Sequence, residues 1–121
     1  MATVTRVLPW RRAANRPASA EIAELLAEFT KRRPKDSTEL IERAFSIADG
    51  AHAGQRRKSG EPYIRHPVAV ATIVAQQGLG DVAVAAALLH DAVEDTAVSL
   101  EDLEKEFDAE LATIVDGVTK L

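Results

Sequence analysis

Hydrophobic residues recur every three or four positions along most of this chain, and nowhere do they alternate convincingly at a spacing of two. The pattern predicts helices throughout. Ser19 opens the first, with Ile22, Leu25, Leu26 and Phe29 on one stripe and Glu21, Glu24 and Glu28 elsewhere; Pro34 ends it. "DSTE" predicts the next start, since Asp36 and Glu39 have capping-box spacing. Leu40, Ile41, Ala44, Phe45, Ile47 and Ala48 then give an amphipathic helix to about Ala53, where Gly54 interrupts. "GQRRKSGEPYIRHP", with two glycines and two prolines, reads as loop. Pro67 suits the first turn of a third helix through Val68, Val70, Ile73 and Val74, stopping near Gly78. Asp81 is placed to cap a fourth helix. Its residues Val82 to Leu89 are apolar on every side, which marks it as the buried central helix. Ser99 and Asp102 match an acidic capping-box variant, a short helix follows to about Phe107, and Asp108 can cap a last one. That last helix carries Leu111, Ile114, Val115 and Val118 on one stripe. The expectation is an all-α bundle whose final stripe is left uncovered, as if cut short at Leu121, and therefore prone to aggregation or dependent on a partner.

Composition narrows the class. The 121 residues suffice for one small domain. With no cysteine there is neither a disulfide framework nor a thiolate metal site, which is compatible with a cytoplasmic protein. The run Val82 to Leu89 is too short to span a bilayer, so no membrane role is expected. The arginine- and proline-containing start lacks the apolar segment of a secretory signal. Residues 1–18 are expected to form a flexible basic tail; a solvated tail is favoured over an arm for nucleic acid.

The net charge of −4 hides an asymmetry: residues 1–60 hold twelve Lys/Arg against seven Asp/Glu, and residues 61–121 hold three against twelve. Two readings stay open. One is a pair of solvated faces of opposite sign; the other is a basic segment for an anionic ligand beside an acidic segment for a metal.

The acidic segment centres on "AALLHDAVEDT", residues 86–96, where His90, Asp91, Glu94 and Asp95 follow directly on the apolar run. At roughly 100° per residue, Glu94 lies about 40°, Asp91 about 100° and Asp95 about 140° round the helix from His90, so all four share one side. Carboxylates are unfavourable at a helix C-terminus, where the dipole is negative. An imidazole among them makes a natural ligand set for a divalent cation, which would also offset their repulsion. The alternative is an exposed helix end with scattered charges. His66, just before the third helix, is the candidate ligand from elsewhere; His52 reads as structural, at a helix–loop junction. On the basic side, "QRRKSG" offers Arg57 as a fork of donors or a flat stacking surface, Lys58 as a mobile charge, Ser59 as a hydroxyl and Gly60 as a point of close backbone approach. A phosphate-rich ligand suits that loop, as does plain solvent. It is neither a G-x-x-x-x-G-K-[ST] loop nor a dinucleotide fingerprint.

Three segments in order, "HAGQRRKSGEPYIRHPVAVA", "AALLHDAVEDT" and "IVDGVTKL", strongly resemble the hydrolase domain of RelA/SpoT-type enzymes, the (p)ppGpp synthetase/hydrolase family of the HD superfamily. The resemblance covers roughly residues 37–121. It implies an HD-type helical bundle, truncated before its last helices, with residues 19–121 as a partial hydrolase domain. It also implies Mn²⁺-dependent removal of pyrophosphate from the ribose 3′ position of guanosine tetra- or pentaphosphate. His66, His90 and Asp91 then take metal-ligand positions and Glu94 and Asp95 the catalytic acidic pair. Arg57 packs against the guanine, and Lys58, Ser59 and Tyr63 line the nucleotide pocket. The family's fourth ligand, an aspartate of a later "ADRLHN"-like helix, and its synthetase and regulatory domains have no counterpart within these residues. Two alternatives accompany this expectation: an inactive nucleotide- or metal-binding regulatory module, and an HD phosphohydrolase of another nucleotide. The "RRKSGEPY" loop argues against the second.

Overall fold

A computed structural model describes residues 20–119. The basic segment 1–18 read as a tail lies outside the described residues. Six helices follow one another: α1 (Ala20–Arg32), α2 (Glu39–Ala51), α3 (Arg65–Gln76), α4 (Asp81–Asp95), α5 (Leu100–Glu106) and α6 (Ala109–Thr119). The all-α expectation holds among the described residues, which contain no strand beyond an isolated bridge between Arg56 and Pro62. None of these helices is long and apolar enough to cross a membrane.

The centre of the molecule is α4, which packs against α2, α3 and α6, while α1 lies on α3 and α5 on α6. Its residues Val84 to Leu89 are all buried, as their unbroken apolar character requires. From α1 come Ile22, Leu25 and Phe29, and from α2 Ile41, Ala44, Phe45, Ile47 and Ala48, the residues their spacing singled out. On α3 the inner face is smaller: Val68, Ala71, Thr72 and Ala75 are buried, whereas Ile73 is 58% exposed. Small side chains there let neighbouring helices approach closely. Thr72 joins that face by donating its hydroxyl to the Val68 carbonyl at 2.8 Å.

Helix ends differ from the sequence pattern in three places. The Asp36–Glu39 capping box does not form. Thr38 takes the N-cap position of α2 without a side-chain cap bond, and Asp36 instead accepts from Arg33 at 2.8 Å. Arg33 also donates Nε–H to the Gly78 carbonyl at 3.0 Å, tying the α1–α2 connection to the α3–α4 connection. At α4 the N-cap is Gly80, and Asp81 is the first helical residue, where its charge still complements the helix dipole. The stripe of α6 is not left open. Leu111 and Val115 are buried against the bundle, and only Val118 at the far end is exposed. The Ser99–Asp102 capping box is present in both directions, and Asp108 accepts from the Leu111 N–H at 2.8 Å.

Candidate metal centre and basic loop

The last two turns of α4 carry the acidic cluster. Because Leu88, Leu89 and Ala92 on the same turns are sealed in the core, the neighbouring polar side chains hold a fixed direction. The helix stops at Thr96, whose hydroxyl and backbone N–H both donate to the Ala92 carbonyl, at 2.6 and 3.0 Å. His90, Asp91 and Glu94 come together, each offering a ligand atom within 4.8 Å of the others. Asp95 is exposed and stands outside that group, although its charge raises the pKa of Tyr63.

The contacts around Asp91, which is only 8% exposed, define the centre of the site. Its Oδ1 is 3.1 Å from His90 Nε2, and its Oδ2 is 3.5 Å from His66 Nε2 and 3.4 Å from the Tyr63 hydroxyl. His90 Nδ1 lies 3.0 Å from the Ala87 carbonyl, a group that can only accept. That places a proton on Nδ1 and turns Nε2 toward a carboxylate oxygen. At 3.1 Å this nitrogen and oxygen are held together by either a second ring proton or a cation beside them. The mixed set of imidazole nitrogens and carboxylate oxygens suits a divalent cation, and fixing the outer nitrogen of a ligand histidine on a carbonyl is how such rings are oriented. His66 reaches the site from the first turn of α3.

As the glycines and prolines predict, residues 55–63 form a loop without helix or strand, and it closes as a tight turn. Tyr63 N–H donates to the Gln55 carbonyl at 3.0 Å, Arg57 N–H to Glu61 at 3.0 Å and Gly60 N–H to Arg57 at 2.8 Å. Gly60 has φ +92°, a left-handed conformation that a side chain would strain. Arg56 is used by the turn itself, donating to the Gly60 carbonyl at 2.8 Å. Arg57, Lys58 and Ser59 are exposed and, with Tyr63, line an open groove of about 610 Å³. A separate groove of about 540 Å³ on α3, lined by Glu24, Arg65 and Ile73 among others, contains none of the candidate residues.

Tyr63 joins the two regions. Its hydroxyl reaches Asp91, and its ring meets His66 edge-on at 5.9 Å. Burial first, then the charges of Asp91 and Asp95, raise the phenol pKa above its ordinary 10.0, with Arg57 acting in the opposite sense. The group therefore remains a hydrogen-bond donor at neutral pH. Sequence reasoning left two members of this region aside. His52, read as structural, is buried and stacks on Tyr63 at 4.6 Å, and Gln55 bridges His52 to the Asp95 carbonyl. Their only signal was position, at the junction of α2 with the basic loop.

A family model described as an HD domain matches residues 44–121. The chain belongs to the HD-domain family. Its relatives make it an HD domain of the RelA/SpoT type. It is 47% identical over 112 residues to the probable GTP pyrophosphokinase of Mycobacterium leprae, covering 92% of this chain and 14% of that protein. It is 63% identical over 75 residues to the guanosine-3′,5′-bis(diphosphate) 3′-pyrophosphohydrolase of Haemophilus influenzae, covering 62% of this chain and 11% of that protein. With the bifunctional (p)ppGpp synthase/hydrolase SpoT of Escherichia coli it shares 48% over 88 residues, covering 73% and 12%. The RelA/SpoT-type HD chain thus spans about a seventh or less of the length of these curated relatives.

Proposed function

We propose that this HD chain is the hydrolase-domain segment of a RelA/SpoT-type stringent-response enzyme, acting in the cytoplasm. Its reaction is the hydrolysis of (p)ppGpp at the 3′ position, which for ppGpp yields GDP and pyrophosphate. The observation that carries this reading is the convergence of His66, His90 and Tyr63 on Asp91, at the edge of a loop rich in phosphate-binding side chains. Within it, residues 19–121 act as part of one hydrolase domain.

His66, His90 and Asp91 are the residues that would hold Mn²⁺. When bound, such a cation acidifies water and polarises a phosphoryl oxygen. Glu94, on the same side of the helix as His90, is placed to orient the attacking water and take its proton. Asp95, further round and exposed, adds a second carboxylate that can help to align that water. In the groove of the loop, Arg57 offers a flat guanidinium for the guanine, and Lys58 and Ser59 offer donors for phosphate oxygens. The basic side draws a polyphosphate in, and the acidic side does the hydrolysis.

The direct test is to incubate the chain with Mn²⁺ and ppGpp and separate the products by anion exchange. GDP and pyrophosphate are expected, with formation abolished by chelation and by His90→Ala. Other products, or a rate indifferent to both treatments, would overturn the proposal. Mn²⁺ uptake with ppGpp bound but left intact would favour a regulatory binding module.

A further inference from the structure

We propose that His52 is a positioning residue for the metal centre, acting through the ring of Tyr63. This inference rests on the metal reading of Asp91 and goes beyond it by adding a residue that touches neither metal nor nucleotide.

The placement is specific. His52 closes α2, its backbone N–H donating to the Ala48 carbonyl at 3.0 Å, and its side chain is only 3% exposed. Its ring lies 4.6 Å from that of Tyr63, tilted by 33°, and Tyr63 in turn meets His66 edge-on at 5.9 Å. Three rings from α2, the loop and α3 thus form a row that ends at the site. Asp91 Oδ2 receives both the Tyr63 hydroxyl and the approach of His66, so the setting of the middle ring determines both.

The His52 ring is itself fixed. Its Nδ1 lies 2.8 Å from Gln55 Oε1, while the other end of that amide points its nitrogen at the Asp95 carbonyl at 3.5 Å. With the amide so oriented, Oε1 accepts and Nδ1 must carry the proton. Nε2 is then a buried lone pair with no hydrogen-bond partner among the described residues. A ring serving only to fill space would more cheaply be apolar, because a buried acceptor without a partner is costly. What the imidazole adds is the bond that sets its angle against Tyr63. Carboxylates that bind metal are themselves held by hydrogen bonds, and loss of such a partner typically lowers metal affinity about ten- to a hundred-fold.

The test reads Mn²⁺ uptake by the full chain from the resonance signal of the free ion. In parallel, selective ¹³C labelling of tyrosine reports Tyr63 alone, the single tyrosine of the sequence. His52→Ala and His52→Gln are expected to weaken Mn²⁺ affinity about ten- to a hundred-fold and to shift the Tyr63 ring signals. His52→Phe keeps a ring against Tyr63 and holds the fold if the smaller variants lose it, but it lacks the bond to Gln55 and recovers only part of the affinity. Tyr63→Phe, which removes the hydroxyl, weakens uptake as His52→Ala does, and the double variant costs no more than either single one because both act along one path. A purely structural histidine would lower the melting temperature without a selective effect on Mn²⁺, and its effect would add to that of Tyr63→Phe. Unchanged Mn²⁺ affinity in His52→Gln, failure of His52→Phe to bind better than His52→Gln, or additivity in the double variant overturns the positioning role alone. A wild-type chain that takes up no Mn²⁺, or takes it up equally after Asp91→Ala, overturns the metal reading and this inference with it.

Discussion

The acidic end of α4 and the tip of the basic loop are joined through Tyr63 but are built in opposite ways. His90 and Asp91 project from turns whose other faces, Leu88, Leu89 and Ala92, are sealed in the core. Arg57, Lys58 and Ser59 are exposed, and their turn is held by backbone bonds and by Arg56 folding back on Gly60. The difference suits what each side is proposed to bind. A cation demands ligand atoms placed within tenths of an ångström, so its residues sit on a packed helix. A polyphosphate is gripped by long cationic side chains whose reach makes up for freedom. The stiff part of the loop is its root, where Tyr63 touches Asp91 and stacks on His52.

This contrast can be broken by variants on either side. The largest effect is expected from Asp91→Ala, which removes the carboxylate shared by His90, His66 and Tyr63 and should abolish Mn²⁺ uptake. Nucleotide binding measured calorimetrically without metal should survive it, because the loop cations are untouched. Loss of both together would show that the two sides are one unit. Next comes Leu89→Ala beneath the site, which should lower unfolding stability by about 2–5 kcal/mol in a urea titration. Ser59→Ala at the loop tip should stay within about 0.5 kcal/mol in the same assay. Smaller than the Leu89→Ala effect is that of Arg57→Ala. Losing a charged donor to phosphate or a stacking plane should cost about 1.5–3 kcal/mol of nucleotide affinity, roughly ten- to a hundred-fold. That loss should shrink as salt is added, since exposed charges are screened within about 10 Å at 0.1 M. Mn²⁺ affinity should remain at the wild-type value in Arg57→Ala.

Much of this architecture was legible in the sequence, for identifiable reasons. The spacing of Ile22, Leu25 and Phe29, or of Ile41, Phe45 and Ala48, is a local property of one helix and survives folding unchanged. The same holds for His90, Asp91 and Glu94, whose grouping needs only helical geometry. Contacts between elements were not legible. The pattern on α3 singled out Ile73, and only the neighbours of α3 decide that Ala71 turns inward instead. The stripe of α6 looked uncovered because coverage comes from helices earlier in the chain. Asp36 had two available partners, the α2 backbone and Arg33, of similar worth, and spacing cannot choose between them. The stacking of His52 on Tyr63 needs the hairpin-like turn between them to close, which a reading of "GQRRKSGEPY" as loop left undefined.

The smallest effect expected is also the one that reads both regions at once. The Tyr63 phenol is raised above 10.0 by burial and by Asp91 and Asp95, and is drawn down by Arg57. Its folded-state pKa exceeds its unfolded value, so the folded protein holds this proton longer than the unfolded chain. The associated stability is complete below about pH 10 and declines as pH rises through the raised folded value. Because the chain has a single tyrosine, an ultraviolet titration follows this group alone. Asp95→Asn should move the curve down, by removing a like charge, and Asp91→Asn should move it down further, since Asp91 contributes the larger effect and the hydrogen bond. Arg57→Ala should move it up. If Arg57→Ala leaves the titration unchanged, the basic loop lies outside the electrostatic reach of the acidic helix end, and the two cannot be opposite walls of one site.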